Sequence, residues 1–174
     1  MCLITKDHIF CANAGDSRAV LGRSAGANTV LPLSVDHKPE DVEEKKRIEA
    51  AGGFVEENRV NGSLNLSRSM GDFEYKSKKE LPYDQQMVIV VPEVKKVARQ
   101  ANDQFIMMAC DGIWDCVTSE EGIKQMQEAL AKKGTAPISS CIEDLFEKII
   151  ATDIFASAGI GTDNMTCIVI EFKK

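Results

Sequence analysis

The apolar run Phe105-Ile106-Met107-Met108-Ala109-Cys110 stops abruptly at Asp111-Gly112, and a second acid, Asp115, stands four residues after the first. A run of this kind reads as a strand buried on both faces, so the carboxylate at its end is held rigidly at the sheet edge. If one helical turn starts at Gly112, Asp111 and Asp115 share a face. Two carboxylates so placed suit a hard divalent cation. The other reading of the same residues makes Asp111 the N-cap of a short turn and Asp115 a surface acid.

Three further stretches have the same ambivalence. Ala14-Gly15-Asp16-Ser17-Arg18 places an acid between two apolar strands, which is either a site or ordinary hairpin-turn chemistry. Gly159-Ile160-Gly161-Thr162-Asp163-Asn164 precedes the last apolar run; its glycines permit close backbone approach, and Asp163 would be held by the strand after it. No helix follows, so this is not a nucleotide-binding fingerprint. In Asn65-Leu66-Ser67-Arg68-Ser69-Met70-Gly71-Asp72, Arg68 can bind an anion or pair with a buried acid, and a structural Arg–Asp pair that braces a loop is preferred. A Ser-His-Asp triad is a poor fit. His37 is the better placed of the two histidines, but no serine sits on a strained elbow. Cys110 and Cys116 flank Asp111 without a basic neighbour to activate them.

The elements that must position these residues are short. Cys2–Ile4 and His8–Ala12 read as a hairpin, Arg18–Gly22 as a third strand, and Thr29–Leu33 as a fourth after a turn at Gly26-Ala27-Asn28. Pro39 to Ala51 reads as a helix with a Pro start and a Gly52-Gly53 stop; Val42, Ile48 and Ala51 are its apolar positions, and Glu43 to Arg47 its solvated ones. Phe54-Val55 and Arg59-Val60 form a second hairpin. Residues 61–92 make a long excursion, with a strand at Val88–Val91. Strands at Glu93–Ala98 and Gln104–Cys110, helices at Thr118–Lys132 and Pro137–Ile150, and a final strand within Met165–Phe172 complete the chain. Strands and helices fall in blocks, which predicts an α+β fold with mostly antiparallel pairing.

At 174 residues the chain has the size of one domain. Hydrophobic residues make up 44% and charged residues 28%, which excludes disorder, collagen and coiled coil as whole-chain descriptions. The net charge of −6 argues against nucleic acid or an anionic membrane as partner. No apolar run approaches the ~20 residues of a membrane span, and no basic, then apolar, leader opens the chain. Six cysteines without a Cys-x-x-Cys pair point to reduced thiols and a cytoplasmic or nuclear location rather than a zinc site.

Taken together, Ala12-Asn13-Ala14-Gly15-Asp16-Ser17-Arg18-Ala19-Val20, Asp36-His37-Lys38-Pro39-Glu40, Arg47-Ile48-Glu49-Ala50-Ala51-Gly52-Gly53, Asn65 to Asp72, Ala109 to Asp115, and Gly161 to Thr166 resemble, in order, the motifs of the metal-dependent serine/threonine protein phosphatases of type 2C. The resemblance implies an αββα sandwich, two mostly antiparallel sheets flanked by helices. It implies hydrolysis of phosphoserine and phosphothreonine by water bridging two Mn²⁺ or Mg²⁺ ions, in line and without a phosphoenzyme. On this resemblance Asp111 and Asp163 are ligands of the dinuclear centre. Asp16 and Asp115 are ligands of a third, weaker metal that shares Asp111. The loop from Asp72 to Pro92 belongs to a flap beside the active site.

The same family carries, upstream of everything matched here, a phosphate-binding arginine and an Asp-Gly-His-Gly-Gly motif. The only Asp-Gly in this sequence is Asp111-Gly112. Residues 1–174 are therefore expected to be the C-terminal part of a type 2C catalytic domain, with the N-terminal part absent and no turnover by itself. The implied partners are phosphoprotein substrates, together with the missing N-terminal segment or a second copy paired edge to edge as a dimer. The alternative is a pseudophosphatase-like regulatory module that binds without catalysis, in which loss of Asp111 or Asp163 would be expected.

Overall fold

The computed structural model describes residues 1–24, 26 and 29–173; of the turn expected at Gly26-Ala27-Asn28, Ala27 and Asn28 lie outside the described residues. The elements are β1 (Cys2–Ile4), β2 (His8–Asn13), β3 (Arg18–Arg23), β4 (Val30–Pro32), α1 (Val42–Ala50), β5 (Val55–Glu56), β6 (Arg59–Val60), β7 (Glu93–Ala98), β8 (Asp103–Ala109), α2 (Asp111–Trp114), α3 (Ser119–Lys132), α4 (Ile138–Ile149) and β9 (Cys167–Glu171), with a 3-10 turn at Phe73–Lys76. The sheets run in the orders β1-β2-β7, β4-β3-β8-β9 and β5-β6. Among the described residues this is a mixed fold with antiparallel sheets, as expected, and with four helices where three were expected, α2 being the turn after Cys110.

The chain divides into two units. The larger comprises Cys2–Cys11, Ser17–Ser34 and Lys95 onward. Its centre is the antiparallel pairing of β3 with β8, with Val20 opposite Met107 and Leu21 opposite Ile106. A strand presents alternate residues to opposite faces, and here both faces are apolar. One face carries Ala19, Leu21 and Ile106 against Ile9, Cys11 and Leu33. The other carries Val20, Phe105, Met107 and Ala109 against Trp114, Ile123 and Met126, and Cys141 and Leu145 of α4. Helix α3 starts on a capping box: Thr118 Oγ1 accepts from the Glu121 amide, and Glu121 Oε2 accepts from the Thr118 amide.

The smaller unit comprises Met1, Ala12–Asp16 and Val35–Val94. Its apolar core is Ile48, Val60 and Val88, flanked by Val55, Leu64, Tyr75 and Met87. Three expectations are corrected here. Helix α1 starts at Val42, not Pro39, because residues 38–41 close a turn in which the Lys38 amide donates to Asp41 Oδ2 at 3.0 Å. Its buried face carries Glu44 and Ile48, whereas Val42 is 78% exposed; Glu44 is not among the solvated residues. Val88–Val91 is no strand. It contributes a single parallel bridge between Ile89 and Arg68, because the backbone partners of a full ladder are replaced by side-chain donors.

Candidate functional site

Strand β8 delivers Asp111 as expected. Helix α2 begins at that residue, and the Asp115 amide donates to the Asp111 carbonyl at 2.8 Å, so one turn separates the two acids. Trp114, which sequence reasoning did not single out, fixes that turn. Its indole Nε1 donates to the Ala109 carbonyl at 3.0 Å and to the Arg18 carbonyl at 3.2 Å. The Arg18 guanidinium lies 5.2 Å from the Trp114 ring centroid and donates to Ser119 Oγ at 3.1 Å.

The Asp163 segment is held against Asp111. Cys110 is the clasp: its amide donates to the Thr166 carbonyl, its thiol donates to the Asn164 carbonyl at 3.3 Å, and its sulfur accepts from the Thr166 amide at 3.2 Å. Gly112 lets the two segments touch. A Cβ there would stand 2.3 Å from the Asn164 carbonyl oxygen and 3.5 Å from Asp163 Cβ, so only glycine fits. Gly161 permits a separate close approach, to the C-terminal end of α4. Its φ is +74°, and a Cβ would meet the Ile149 carbonyl oxygen at 2.2 Å. Each acid is oriented by the next backbone amide, Gly112 N donating to Asp111 Oδ1 at 2.9 Å and Asn164 N to Asp163 Oδ1 at 2.7 Å. Asp163 and Asp115 are exposed and Asp111 is half-buried.

The donors gathered here are carboxylate oxygens, the chemistry preferred by Mg²⁺ and Mn²⁺ rather than by zinc. Two carboxylates supply only part of the roughly six oxygens such ions take. Among the described residues, no group of three or more His, Cys, Asp or Glu stands together as a metal cage.

Asp16 belongs to the smaller unit. It is buried there, and its Oδ2 accepts from Lys38 Nζ at 2.6 Å. Its turn is tied down from two sides. Asn13 Nδ2 donates to the Gly15 and Val35 carbonyls at 2.9 Å, and the His37 amide donates to the Gly15 carbonyl at 3.1 Å. His37 is buried, and burial, then the Arg68 charge, lowers its pKa below the ordinary 6.5. It is part of a braced turn, not of a triad.

Arg68 does pair with a buried acid, but the acid is Glu44 of α1 and not the expected aspartate. Arg68 Nη2 and Nε contact both Glu44 oxygens, Arg47 Nη1 donates at 2.8 Å and Ser67 Oγ at 2.7 Å. Burial alone would raise the Glu44 carboxyl. The donors from Arg68, Ser67 and Arg47 outweigh it and bring the pKa down to about 2. The two guanidiniums extend the network into the loop. Arg47 donates to the Ser67 carbonyl at 2.7 Å, and Arg68 to the Val91 carbonyl at 3.0 Å. The available signal was the helical spacing of Glu44, Ile48 and Ala51 on one face.

Residues 1–154 match the family model described as "Protein phosphatase 2C". A "Probable protein phosphatase 2C 3" of Paramecium tetraurelia is 46% identical over 99% of this chain and 56% of its own length. A "Protein phosphatase 2C homolog 2" of Schizosaccharomyces pombe is also 46% identical, over 95% of this chain and 44% of its own. A solved structure titled as a phosphatase from a pathogenic strain of Toxoplasma gondii superposes with a TM-score of 0.78 at 30% identity, covering 95% of this chain and 48% of that one. The chain thus spans about half the length of the curated relatives it matches. The Asp111 segment lies within the residues matched to the family model, the Asp163 segment beyond them, and the chain belongs to the protein phosphatase 2C family.

Proposed function

We propose that this chain supplies the C-terminal part of a metal-dependent protein serine/threonine phosphatase, with Asp111 and Asp163 as ligands of a dinuclear Mn²⁺ or Mg²⁺ centre. Asp16 and Asp115 serve a third, weaker site. The observation that carries this reading is the meeting of the Asp111 and Asp163 segments, with each carboxylate aimed by its neighbour's amide. When bound, the ions supply an activated water and offset the charge of the phosphoryl group. The chain's own part is to hold carboxylate oxygens still. Trp114 and the Cys110 clasp fix the backbone on both sides, so the acids lose little freedom on taking up a cation. The substrates are phosphoproteins, and turnover requires the N-terminal part of the domain that the resemblance to type 2C phosphatases implies. Strand β1, first in its sheet order among the described residues, is the place where that segment or a second copy would pair.

Activity on a phosphoserine peptide with Mn²⁺ tests this in two arms. The 174 residues alone are expected to be inactive, and addition of the N-terminal segment of a relative, fused or as a second chain, to restore turnover. In the restored protein, Asp111→Ala or Asp163→Ala is expected to lower kcat by several orders of magnitude, and Asp115→Ala to raise the metal concentration needed. Near-normal turnover by Asp163→Ala would overturn the ligand assignment. Robust turnover by the isolated chain that depends on Asp111 would overturn the requirement for the segment.

A further inference from the structure

Cys2 and Cys11 stand directly opposite each other across the β1–β2 pairing. The hydrogen-bond parity of that hairpin fixes what kind of pair they are. Met1 and Ala12 exchange both backbone hydrogen bonds, at 2.8 and 2.9 Å, and four residues on from Met1 the Thr5 amide donates to the His8 carbonyl at 2.9 Å. Hydrogen-bonded and non-hydrogen-bonded pairs alternate along an antiparallel ladder, so Cys2 and Cys11 occupy a non-hydrogen-bonded position. Cα atoms there lie about 4.5 Å apart, with the side chains on one face and closest together. That spacing lies within the range a disulfide spans.

We propose that Cys2 and Cys11 are a reversible oxidation site, closing a disulfide between β1 and β2 on exposure to hydrogen peroxide. One sulfur, as thiolate, attacks a peroxide oxygen; the S–O bond forms, the O–O bond breaks, and the departing hydroxide takes a proton to become water. The second sulfur then attacks the sulfenyl sulfur. The S–S bond forms, the S–O bond breaks, and the second hydroxide leaves as water with the proton of the second thiol. Two thiols give up two electrons to one peroxide, and a dithiol reverses the change.

Two observations support the site beside the geometry. The two thiols perturb each other, the interaction pulling the Cys11 pKa down and pushing that of Cys2 up. Cys11 is 2% exposed, but Cys2 on the neighbouring strand is half-buried and gives the oxidant access. Of the remaining cysteines, Cys141 is buried, the Cys116 thiol donates to the Gly112 carbonyl at 3.2 Å, and Cys110 is engaged with Asn164 and Thr166. The proposal is independent of the phosphatase reading.

Trypsin makes the test direct, because Lys6 lies between the two cysteines and Arg18 follows them. The full 174-residue chain is treated with one equivalent of hydrogen peroxide at pH 7, alkylated, digested and mass-mapped without reduction. The expected product is the peptide ending at Lys6 joined to the peptide from Asp7 to Arg18, lighter by two hydrogens than their sum. It should disappear with dithiothreitol and exceed any other cysteine pairing at least tenfold. Recovery of both peptides as alkylated thiols while other cysteines oxidise, or a dominant Cys110–Cys167 linkage, would overturn the proposal. So would hybrid masses from mixed light and ¹⁵N-labelled chains, which would show the bond to be between molecules. The Cys2→Ser variant should leave Cys11 unlinked, and its circular dichroism reports separately whether it folds.

Discussion

In the larger unit, β3 and β8 bury apolar side chains on both faces, and α3 and α4 cover one of them with Ile123, Met126, Cys141 and Leu145. In the smaller unit, the apolar cluster of Ile48, Val60 and Val88 shares the interior with a carboxylate that gathers two guanidiniums and a hydroxyl. Apolar layers are indifferent to pH and forgiving of small changes in shape. A buried charge cluster is neither. It holds one geometry well, but removing any member strands the others without water. The candidate ligands Asp111 and Asp163 stand on the first kind of support, and the Arg68 loop on the second.

The largest effect is expected from opening the apolar layers. Phe105 is 1% exposed, at the centre of the β8 face that meets α3. Phe105→Ala is expected to cost about 4 kcal/mol, the combined loss of transfer free energy and the cavity left behind. Urea unfolding should show it, and hydrogen exchange should show protection lost throughout β3, β8 and α3. A cost below about 1 kcal/mol would mean that these layers are not what holds the unit.

Glu44→Gln is the matching test of the smaller unit. It keeps the shape and one acceptor oxygen but leaves Arg47 and Arg68, whose side chains are 12% and 17% exposed, without a counter-charge. The expected cost is about 3 kcal/mol. Amide protection should fall in α1 and around Ser67 and Ile89, and remain in β8. Uniform loss across both units would break the comparison.

How much of this was legible follows the same division. Strand order in the larger unit is written in alternation and turn residues, so Arg18–Gly22, Gln104–Cys110 and the Thr118 cap were found within a residue or two. The positions of Asp111 after β8 and of Asp163 before β9 were legible because glycine and acid stand together beside apolar runs. The contact at Gly112 needed coordinates, since it joins residues fifty apart in sequence. The smaller unit was harder. Glu44 sits inside Glu43-Glu44-Lys45-Lys46-Arg47, a run that reads as a solvated face, and its burial depends on Arg68, far along the chain. Local charge says nothing about a distant partner. Trp114 lies inside the Ala109 to Asp115 motif, but its role is not legible there, because its two acceptors are backbone carbonyls that no side-chain pattern reveals.

Acid should separate the units. The folded Glu44 carboxyl titrates at about 2 against an ordinary 4.5, so its contribution is fully present above about pH 4.5 and is lost as the pH falls toward 2. That shift corresponds to about 3 kcal/mol at most. His37 acts in the same direction and earlier. Its folded pKa lies below 6.5, so the neutral ring is favoured in the fold, and stability present above 6.5 declines as the pH drops through the folded value. Hydrogen exchange at stepped pH should show α1 and the Ser67 to Ile89 region opening first, with β3 and β8 protected longer. His37→Gln should flatten the early part of the decline and leave the later part intact.

The smallest expected effect distinguishes a buried cluster from an ordinary surface pair on the same helix. Lys45 and Glu49 approach to 3.9 Å with both side chains about half exposed. Such pairs are worth roughly 0–1 kcal/mol and are screened by salt, since the Debye length is about 10 Å at 0.1 M and about 3 Å at 1 M. Lys45→Gln is therefore expected to change stability by less than about 0.5 kcal/mol, with any difference from the parent chain disappearing in 1 M NaCl. The Glu44 cluster lies out of reach of that screening, because its charges are separated by direct hydrogen bonds in a water-poor interior. The gap between Glu44→Gln and the parent should persist in 1 M NaCl within about a fifth of its value at low salt. A gap that closed with salt would mean that solvent reaches Glu44, and the distinction between the two kinds of support would lose its basis.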